Sequence, residues 1–412
     1  MNIPVRPILS ALTRHKAGVF LIALQVALTL AIVANAIFVI SQRVIYISRP
    51  TGIDESNIVV VDNRWVGALT PEQAQAKTAA DLATIRELPG VADAYADYSF
   101  PGAGPWATLW GIGLEANQKS PTSYSEAYFA DEHALATYGV RLLAGRNFRA
   151  DEVTPGSQLE QSTAGPIIIT QDLAKKLFPA GSSLGKAVYV GGTLRTIIGV
   201  VSDMEVPAVG TRTFAYRSVL SPIRWADAGG DQYIVHVKAG QSERLRGSLA
   251  AALYKVSRLR VIDATNGVQT FHSLRNKAYS RDRGLVILLS AASIILLLAT
   301  AGGIIGITVF WVDERRRQIG LRRALGAKRS DILAHILTEN LFIIVLGIGV
   351  GSMLAFVVNL ALMHFLEMTR LPAIYIALGS AVLLTLGQCA ALTPARRAAR
   401  MSPIDATRAA IG

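Results

Sequence analysis

The chain has 412 residues, of which 51% are apolar and 17% charged, with 41 Lys and Arg against 29 Asp and Glu for a net charge of +12. High hydropathy with so little charge excludes a disordered tail protein and an ordinary soluble nucleic-acid binder, so no nucleic-acid partner is expected. The single Cys389 excludes an internal disulfide and a cysteine-ligated zinc site.

A hydrocarbon core of roughly 30 Å takes about 20 apolar residues as a helix. Uncharged stretches of that length occur at 17–40, 284–312, 340–366 and 371–393. A signal peptide cleaved near Ala34-Asn35-Ala36 is the rival reading of the first. Its apolar run continues through Ile37-Phe38-Val39-Ile40, which suits an uncleaved anchor better. The flanking segments 1–16, 313–339 and 394–412 each carry +3, while 41–283 spreads +3 over 243 residues. The alternation of spans puts the three dense segments on one side, and the positive-inside rule assigns that side to the cytoplasm. The expected topology has both termini cytoplasmic, an amphipathic segment at 1–16, a cytoplasmic loop at 313–339 and an extracytoplasmic domain at 41–283, in the inner (plasma) membrane.

Within 41–283 the texture is α+β. Ile58-Val59-Val60-Val61 predicts a buried strand and Asp81–Leu88 a helix stopped by Pro89-Gly90. A second texture occupies about 110–215 and is read as an inserted subdomain. It has a strand at Pro166–Thr170, a helix at Gln171–Leu177, and strands at Ala187–Val190 and Arg195–Val201 joined by a Gly191-Gly192 turn. The outer pattern resumes with a strand at Gln232–Val237 and a helix at Ser242–Val256. Ser41–Arg49 is expected to prolong the first membrane helix, and Thr270–Arg283 to feed as a polar helix directly into the second, together forming a stalk.

Catalytic signatures are missing. There is no G-x-x-x-x-G-K-[ST], no H-E-x-x-H and no G-x-S-x-G, and His15, His133, His236, His272, His335 and His364 never fall at metal-ligand spacing. A non-catalytic chain without bound metal or cofactor is expected.

The cytoplasmic loop is the most informative segment. Glu314, Arg315, Ile319, Gly320, Arg322, Arg323, Ala324, Leu325, Gly326 and Ala327 lie in a run where Ile319, Arg322 and Arg323 recur at helical spacing. A short amphipathic helix would bring an apolar edge and a basic face to a partner. Gly326 is the expected C′ residue, and Ser330 the expected N-cap of the next helix. A basic loop that only fixes topology and touches lipid headgroups is the plainer alternative. In the spans, Gly302-x-x-x-Gly306 and Gly347-x-x-x-Gly351, with Ala23, Ala27 and Ala31, offer close helix packing to a neighbouring subunit. Asn35, Asn359 and Gln388 are expected to bridge helices.

The run from Glu314 to Leu333 resembles the E-R-x-x-E-I-G-x-x-R-A-x-G-A signature of FtsX/MacB-type ABC transporter permeases, followed by a glutamate, Glu339, and a glycine-rich membrane helix with Gly347, Gly349 and Gly351. Gln318 departs from the second acid of that signature. Pro394 to Ala406 resembles the family's closing P-A-x-x-A-x-x-x-x-P-x-x-A pattern, and Gly139–Arg146 with Leu173–Asp203 its periplasmic core. The resemblance implies an α-helical membrane protein with four transmembrane helices. Its large α+β extracytoplasmic domain, porter-like with an inserted sabre-like subdomain, would lie between spans one and two. It also implies a dimer with an identical or homologous second permease chain. The loop between spans two and three would hold a coupling helix docked on a separate ABC ATPase that binds ATP and Mg. A periplasmic membrane-fusion adaptor and an outer-membrane channel are further candidate partners. The implied activity is export of a peptide, antibiotic or other amphiphile by mechanotransmission. A lipoprotein-release permease and a division-linked permease that activates wall hydrolases are the alternatives.

Overall fold

The structure is a computed structural model, described here for residues 16–102, 109–156, 165–208, 213–366 and 369–400. The amphipathic segment before Lys16, Glu367, and the end of the closing pattern from Met401 lie outside the described residues. Two compact units emerge, residues 49–280 and residues 1–48 with 281–412.

Among the described residues the first element is α1, Lys16–Ile47, which runs seven residues beyond the uncharged stretch before Pro50 and Gly52. The unit of residues 49–280, called the external unit after its expected extracytoplasmic place, then opens with β1 (Ile58–Trp65), α2 (Pro71–Arg86) and β2 (Val91–Asp97). The strand β1 is apolar without alternation because both its faces are covered. Val59 and Val61 pack against Leu82 and Ile85 of α2, while Ile58 and Val60 enter a second core with Tyr95 of β2. The helix α2 starts ten residues before the expected Asp81, since Thr70 and Gln73 form a capping box ahead of Pro71.

Next come β3 (Leu109–Gly113), β4 (Ser123–Phe129), α3 (Ala134–Tyr138), β5 (Leu142–Gly145), β6 (Thr154–Gly156), β7 (Gly165–Thr170) and α4 (Gln171–Leu177). They are followed by β8 (Ala187–Val190), β9 (Thr193–Val201), β10 (Ser218–Ser221) and β11 (Ile223–Trp225). Seven strands pair in the order β5-β9-β7-β10-β4-β3-β8, and β8 pairs back onto β9 so that the sheet closes on itself. Its interior holds Ile112, Ile167, Ile169, Val188, Ile197 and Val219. The β8–β9 hairpin turns on Gly191 and Gly192 at φ of +56° and +85°, which side chains disfavour.

The chain returns through β12 (Gly230–Val237), α5 (Ser242–Val256), β13 (Arg260–Val261), β14 (Val268–Thr270) and α6 (Phe271–Ala278). A five-stranded sheet orders as β13-β1-β12-β2, with β14 also on β1. Its central pair registers Ile58 against His236 and Arg64 against Gly230. The seven-stranded sheet is thus an insertion between β2 and β12. One core sews the two sheets together, with Ile58, Val60 and Ile234 from one and Tyr128, Ile168, Val201 and Leu220 from the other.

The membrane unit resumes with α7 (Ser280–Glu314), α8 (Arg316–Ala324), α9 (Arg329–Leu366) and α10 (Ala373–Arg400). Helices α1, α7, α9 and α10 are each long and apolar enough to cross a membrane. The sequence predicts one continuous helix from Thr270 into the second span. The structure interrupts it at a single residue: α6 ends at Ala278, Tyr279 takes φ of −91° and ψ of 9° with its side chain fully buried, and α7 begins at Ser280. Helix α1 is the packing centre of its unit. Its Ile22, Val26, Leu30, Ala34 and Phe38 are buried among Ile304 of α7, Ile343, Ile344 and Ala355 of α9, and Leu383, Ala390 and Ala391 of α10.

Candidate functional site

The predicted coupling segment forms a short helix, α8, held on one side and bare on the other. Ile319 and Gly320 are buried, and Ile319 packs in a cluster with Val312 of α7, Ile332 of α9 and Ala398 and Ala399 of α10. Ala327 and Leu333 pack on its edge. Polar bonds fix the same segment. Arg315 donates to both oxygens of Glu339 at 2.7 and 2.9 Å, with both side chains largely withdrawn from solvent. Arg323 donates to the Ala399 carbonyl at 2.6 Å, filling an acceptor near the end of α10.

The helix stops in a Schellman turn. Gly326 takes φ of +98°, its N–H bonds to the Arg323 carbonyl, and the Ala327 N–H reaches the Arg322 carbonyl. The next helix begins at Arg329, one residue before the expected cap Ser330. Asp331 caps it instead, accepting from the Lys328 N–H at 3.0 Å. The apolar edge also differs from the sequence expectation. Ile319 points into the unit, and the exposed apolar residues are Leu321 at 63% and Leu325 at 80% of full accessibility. Around them Arg316, Arg317, Arg322 and Ala324 are exposed, and Glu314 is exposed at the end of α7. The result is a ridge of two leucines in a basic surround, chemically suited to a protein surface with an apolar slot and acidic rim.

The two chain ends of the external unit form a second cluster. Arg275 of α6 donates to Glu55 Oε1 at 2.6 Å and to the Arg49 carbonyl. Thr51 donates to the same Glu55 oxygen at 2.5 Å, and Tyr216 donates to the Pro50 carbonyl at 2.8 Å. Both ends are joined to Glu205, which follows β9. Its carboxylate lies 3.6 Å from the Arg49 guanidinium and accepts from the Tyr279 hydroxyl at 3.4 Å, while its N–H bonds to the Thr51 carbonyl. Tyr128 of β4 donates to the Glu205 carbonyl at 2.5 Å. Burial pushes the Glu205 carboxyl up to about 7 against the pull of Arg275 and Arg49. The segment entering the unit, the segment leaving it and the inserted sheet therefore share one anchor. Sequence reasoning did not find it, since Arg49, Glu205 and Arg275 are far apart in the chain and no periodicity connects them.

The glycine pairs in the spans divide. A side chain on Gly347 would meet the Ala23 carbonyl and Val26 at 2.8 Å, and one on Gly351 the Ala27 carbonyl at 2.8 Å. These glycines, and the alanines of α1, serve packing within the chain rather than the neighbouring subunit for which the pattern offered them. Gly302 and Gly306 on α7 have nothing within 4 Å. Asn35 bridges α1 to α9 through the Ala355 carbonyl at 3.0 Å, and Asn359 accepts from the Leu371 N–H at 2.9 Å. Asn340, which the sequence reading passed over, joins α9 to α10 through the Gly387 carbonyl at 3.0 Å. Gln388 Nε2 is buried without an acceptor, so it does not bridge as expected. Among the described residues no group of His, Cys, Asp and Glu could hold a metal ion.

Four helices able to span a bilayer, with an α+β unit inserted after the first and a basic helix held in place after the second, define an integral membrane protein with a large domain between its first two spans. Residues 17–252 match the MacB-like periplasmic core domain, and residues 290–403 match the FtsX-like permease C-terminal domain. The chain is 27% identical over 284 residues to the macrolide export ATP-binding/permease protein MacB of Chromobacterium violaceum, covering 65% of this chain and 41% of that protein. It is 25% identical over 298 residues to the uncharacterized ABC transporter permease YvrN of Bacillus subtilis, covering 69% of this chain and 70% of that one. The crystal structure of the periplasmic region of MacB from Actinobacillus actinomycetemcomitans superposes with a TM-score of 0.34 at 15% identity, covering 55% of this chain and 94% of that one. The chain belongs to the MacB/FtsX-like family of ABC transporter permeases and is a multi-pass protein of the inner membrane. It spans about two fifths of the length of the MacB relatives it matches.

Proposed function

We propose that this chain is the permease subunit of an ABC exporter for a peptide, antibiotic or other amphiphile, with α8 as the coupling helix. In this reading both termini and α8 face the cytoplasm, where the basic segments favour retention. An ATPase outside these 412 residues binds ATP and Mg and docks on the leucine ridge. A second permease chain, identical or homologous, completes the transporter, and a periplasmic adaptor and outer-membrane channel extend it. The five-stranded sheet with α2 and α5 corresponds to a porter-like subdomain and the closed seven-stranded sheet to a sabre-like insertion. Movement of the membrane helices would enter the external unit through Arg49 and Arg275 and reach the inserted sheet through Glu205.

The observation that carries this reading is the division of α8 into a locked face and a bare one. Ile319, Arg315 and Arg323 hold it in place, while Leu321 and Leu325 stand clear. Such a segment passes force without bending, which a loop serving only topology does not need. The test co-expresses the chain with the ABC ATPase assigned to it as its partner. The double substitution Leu321→Asp and Leu325→Asp should abolish co-purification and substrate-stimulated ATP turnover while leaving the melting temperature unchanged. Retention of the ATPase by that variant would overturn the proposal.

A further inference from the structure

The external unit contains a cavity of about 350 Å³ at the ends of β1 and β12, lined by Asp62, Arg64, Tyr98, Trp225, Asp227 and Gln232, with Asp231 beneath. The strand register builds it, placing Asp62 opposite Gln232 and Arg64 opposite Gly230. Its wall is aromatic. The Tyr98 and Trp225 rings lie 4.9 Å apart between centroids, and Phe129 backs Trp225 in a parallel stack at 5.3 Å. The Tyr98 and Phe129 rings are also 5.3 Å apart, so the three rings form a mutual cluster that holds the two lining rings in place.

The polar groups of the cavity are mainly acceptors. Asp231 is the most committed of the carboxylates, receiving the Thr78 hydroxyl at 2.5 Å and the Asp227 N–H at 2.8 Å. Its burial pushes it up to about 7, so it contributes least negative charge. Asp227 receives only the Gly229 N–H among the bonds described, at 2.7 Å through Oδ1. Asp62 is half-exposed and meets Arg64 at 3.7 Å, a loose pair whose guanidinium is mostly in solvent. Gln232 Oε1 is buried and accepts no hydrogen bond. Two carboxylates and an unfilled carbonyl thus border an aromatic wall, and the one cation of the lining stands largely outside. Neither a neutral apolar ligand nor an anion would use this set. An N–H-bearing cation would satisfy it, with charge to Asp62 and Asp227, a proton to Gln232 and an apolar body against the rings. The volume lies in the lower range of small-molecule sites.

We propose that this cavity binds an organic cation, a protonated amine or guanidinium carried on a flat apolar body. The proposal concerns binding by the external unit and stands apart from the export reading. The full chain in non-ionic detergent is titrated calorimetrically with 2-phenylethylammonium, and in parallel with neutral 2-phenylethanol and anionic 3-phenylpropionate. The ammonium should bind saturably, the alcohol about tenfold more weakly and the carboxylate not at all. Asp62→Asn, at a half-exposed position, should weaken the ammonium about fivefold, and Arg64→Gln should tighten it by a similar factor. Trp225→Phe, which keeps a ring in the stack, should retain binding, whereas Trp225→Leu should lose most of it, with circular dichroism confirming an unchanged fold. No saturable ammonium binding, equal affinity for the alcohol, or indifference to both Asp62→Asn and Arg64→Gln would overturn the proposal.

Discussion

The two units bury polar groups in opposite ways. In the external unit the deepest polar feature is a closed ion pair. Arg260 and Asp81 make two bonds of 2.7 and 2.8 Å at zero side-chain exposure, with Tyr233 donating to the same carboxylate at 2.7 Å. Around it the core is β-branched and aromatic. Apart from the Arg315–Glu339 pair beside α8, the junctions described in the membrane unit are small residues and amide-to-carbonyl bonds, such as Asn35 to Ala355 and Asn340 to Gly387, while Ile287, Leu288, Ile295 and Leu298 remain about two-thirds exposed. The solvent explains the difference. Water drives apolar side chains inward, so a sheet built in water fills its core with large ones. Lipid gives a leucine no reason to leave it, so helices there associate by close backbone approach and by satisfying polar groups.

The largest expected effect breaks the external side of this comparison. Arg260→Leu strands a buried carboxylate and should cost about 3–5 kcal/mol, seen as a lower melting temperature in near-ultraviolet circular dichroism of the full chain. Pairing it with Asp81→Leu should restore most of the loss, because the penalty belongs to the unpaired charge. A chain melting alike in both single and double variants would show that the pair is not held as described.

Slightly smaller is a pH effect at Glu205. Its carboxyl holds a proton up to about 7 when folded, whereas an exposed one releases it near 4.5. Between those values the folded state binds more protons, so stability is greatest at the acid end of the window and falls as pH rises through it, by up to about 3 kcal/mol. Glu205→Gln should remove its share of this dependence, leaving the share of Asp231, whose carboxyl burial likewise pushes up to about 7, and should make the protein more stable at pH 8, as thermal melts across pH 5 to 8 would reveal. A wild-type profile rising with pH, or one unchanged by the substitution, would contradict the assignment.

The membrane side is sharpened by glycine substitution. Gly351→Val drives a side chain into the Ala27 backbone and should cost about 1–3 kcal/mol, measured as faster loss of monodisperse protein on heating in detergent. Gly306→Val, with nothing within 4 Å, should leave the subunit's own melt unchanged. The smallest effect is local. Thr70→Ala removes the cap of α2 and should lower external-unit stability by about 1 kcal/mol in the same melts.

Much of the architecture was written in local pattern. Four uncharged runs mark the helices able to span a membrane, the unbroken Ile58-Val59-Val60-Val61 marks a strand covered on both faces, and Gly191-Gly192 marks a hairpin. These follow from side-chain period and turn geometry, which neighbours in sequence decide. The candidate site was legible as a segment and not as a surface. Ile319, Leu321 and Leu325 are equally apolar in a list of residues, and which one turns inward depends on Val312, Ile332 and Ala398 assembling around it. Likewise Arg323 finds its acceptor on Ala399, 76 residues away, and Gly347 meets α1 while Gly302 meets nothing. Sequence by itself determined where the chain could span a membrane and where its charge concentrates. Only the tertiary structure decided which faces are spent within the chain and which are left for a partner, because burial is a property of the distant residues that arrive to cover a face.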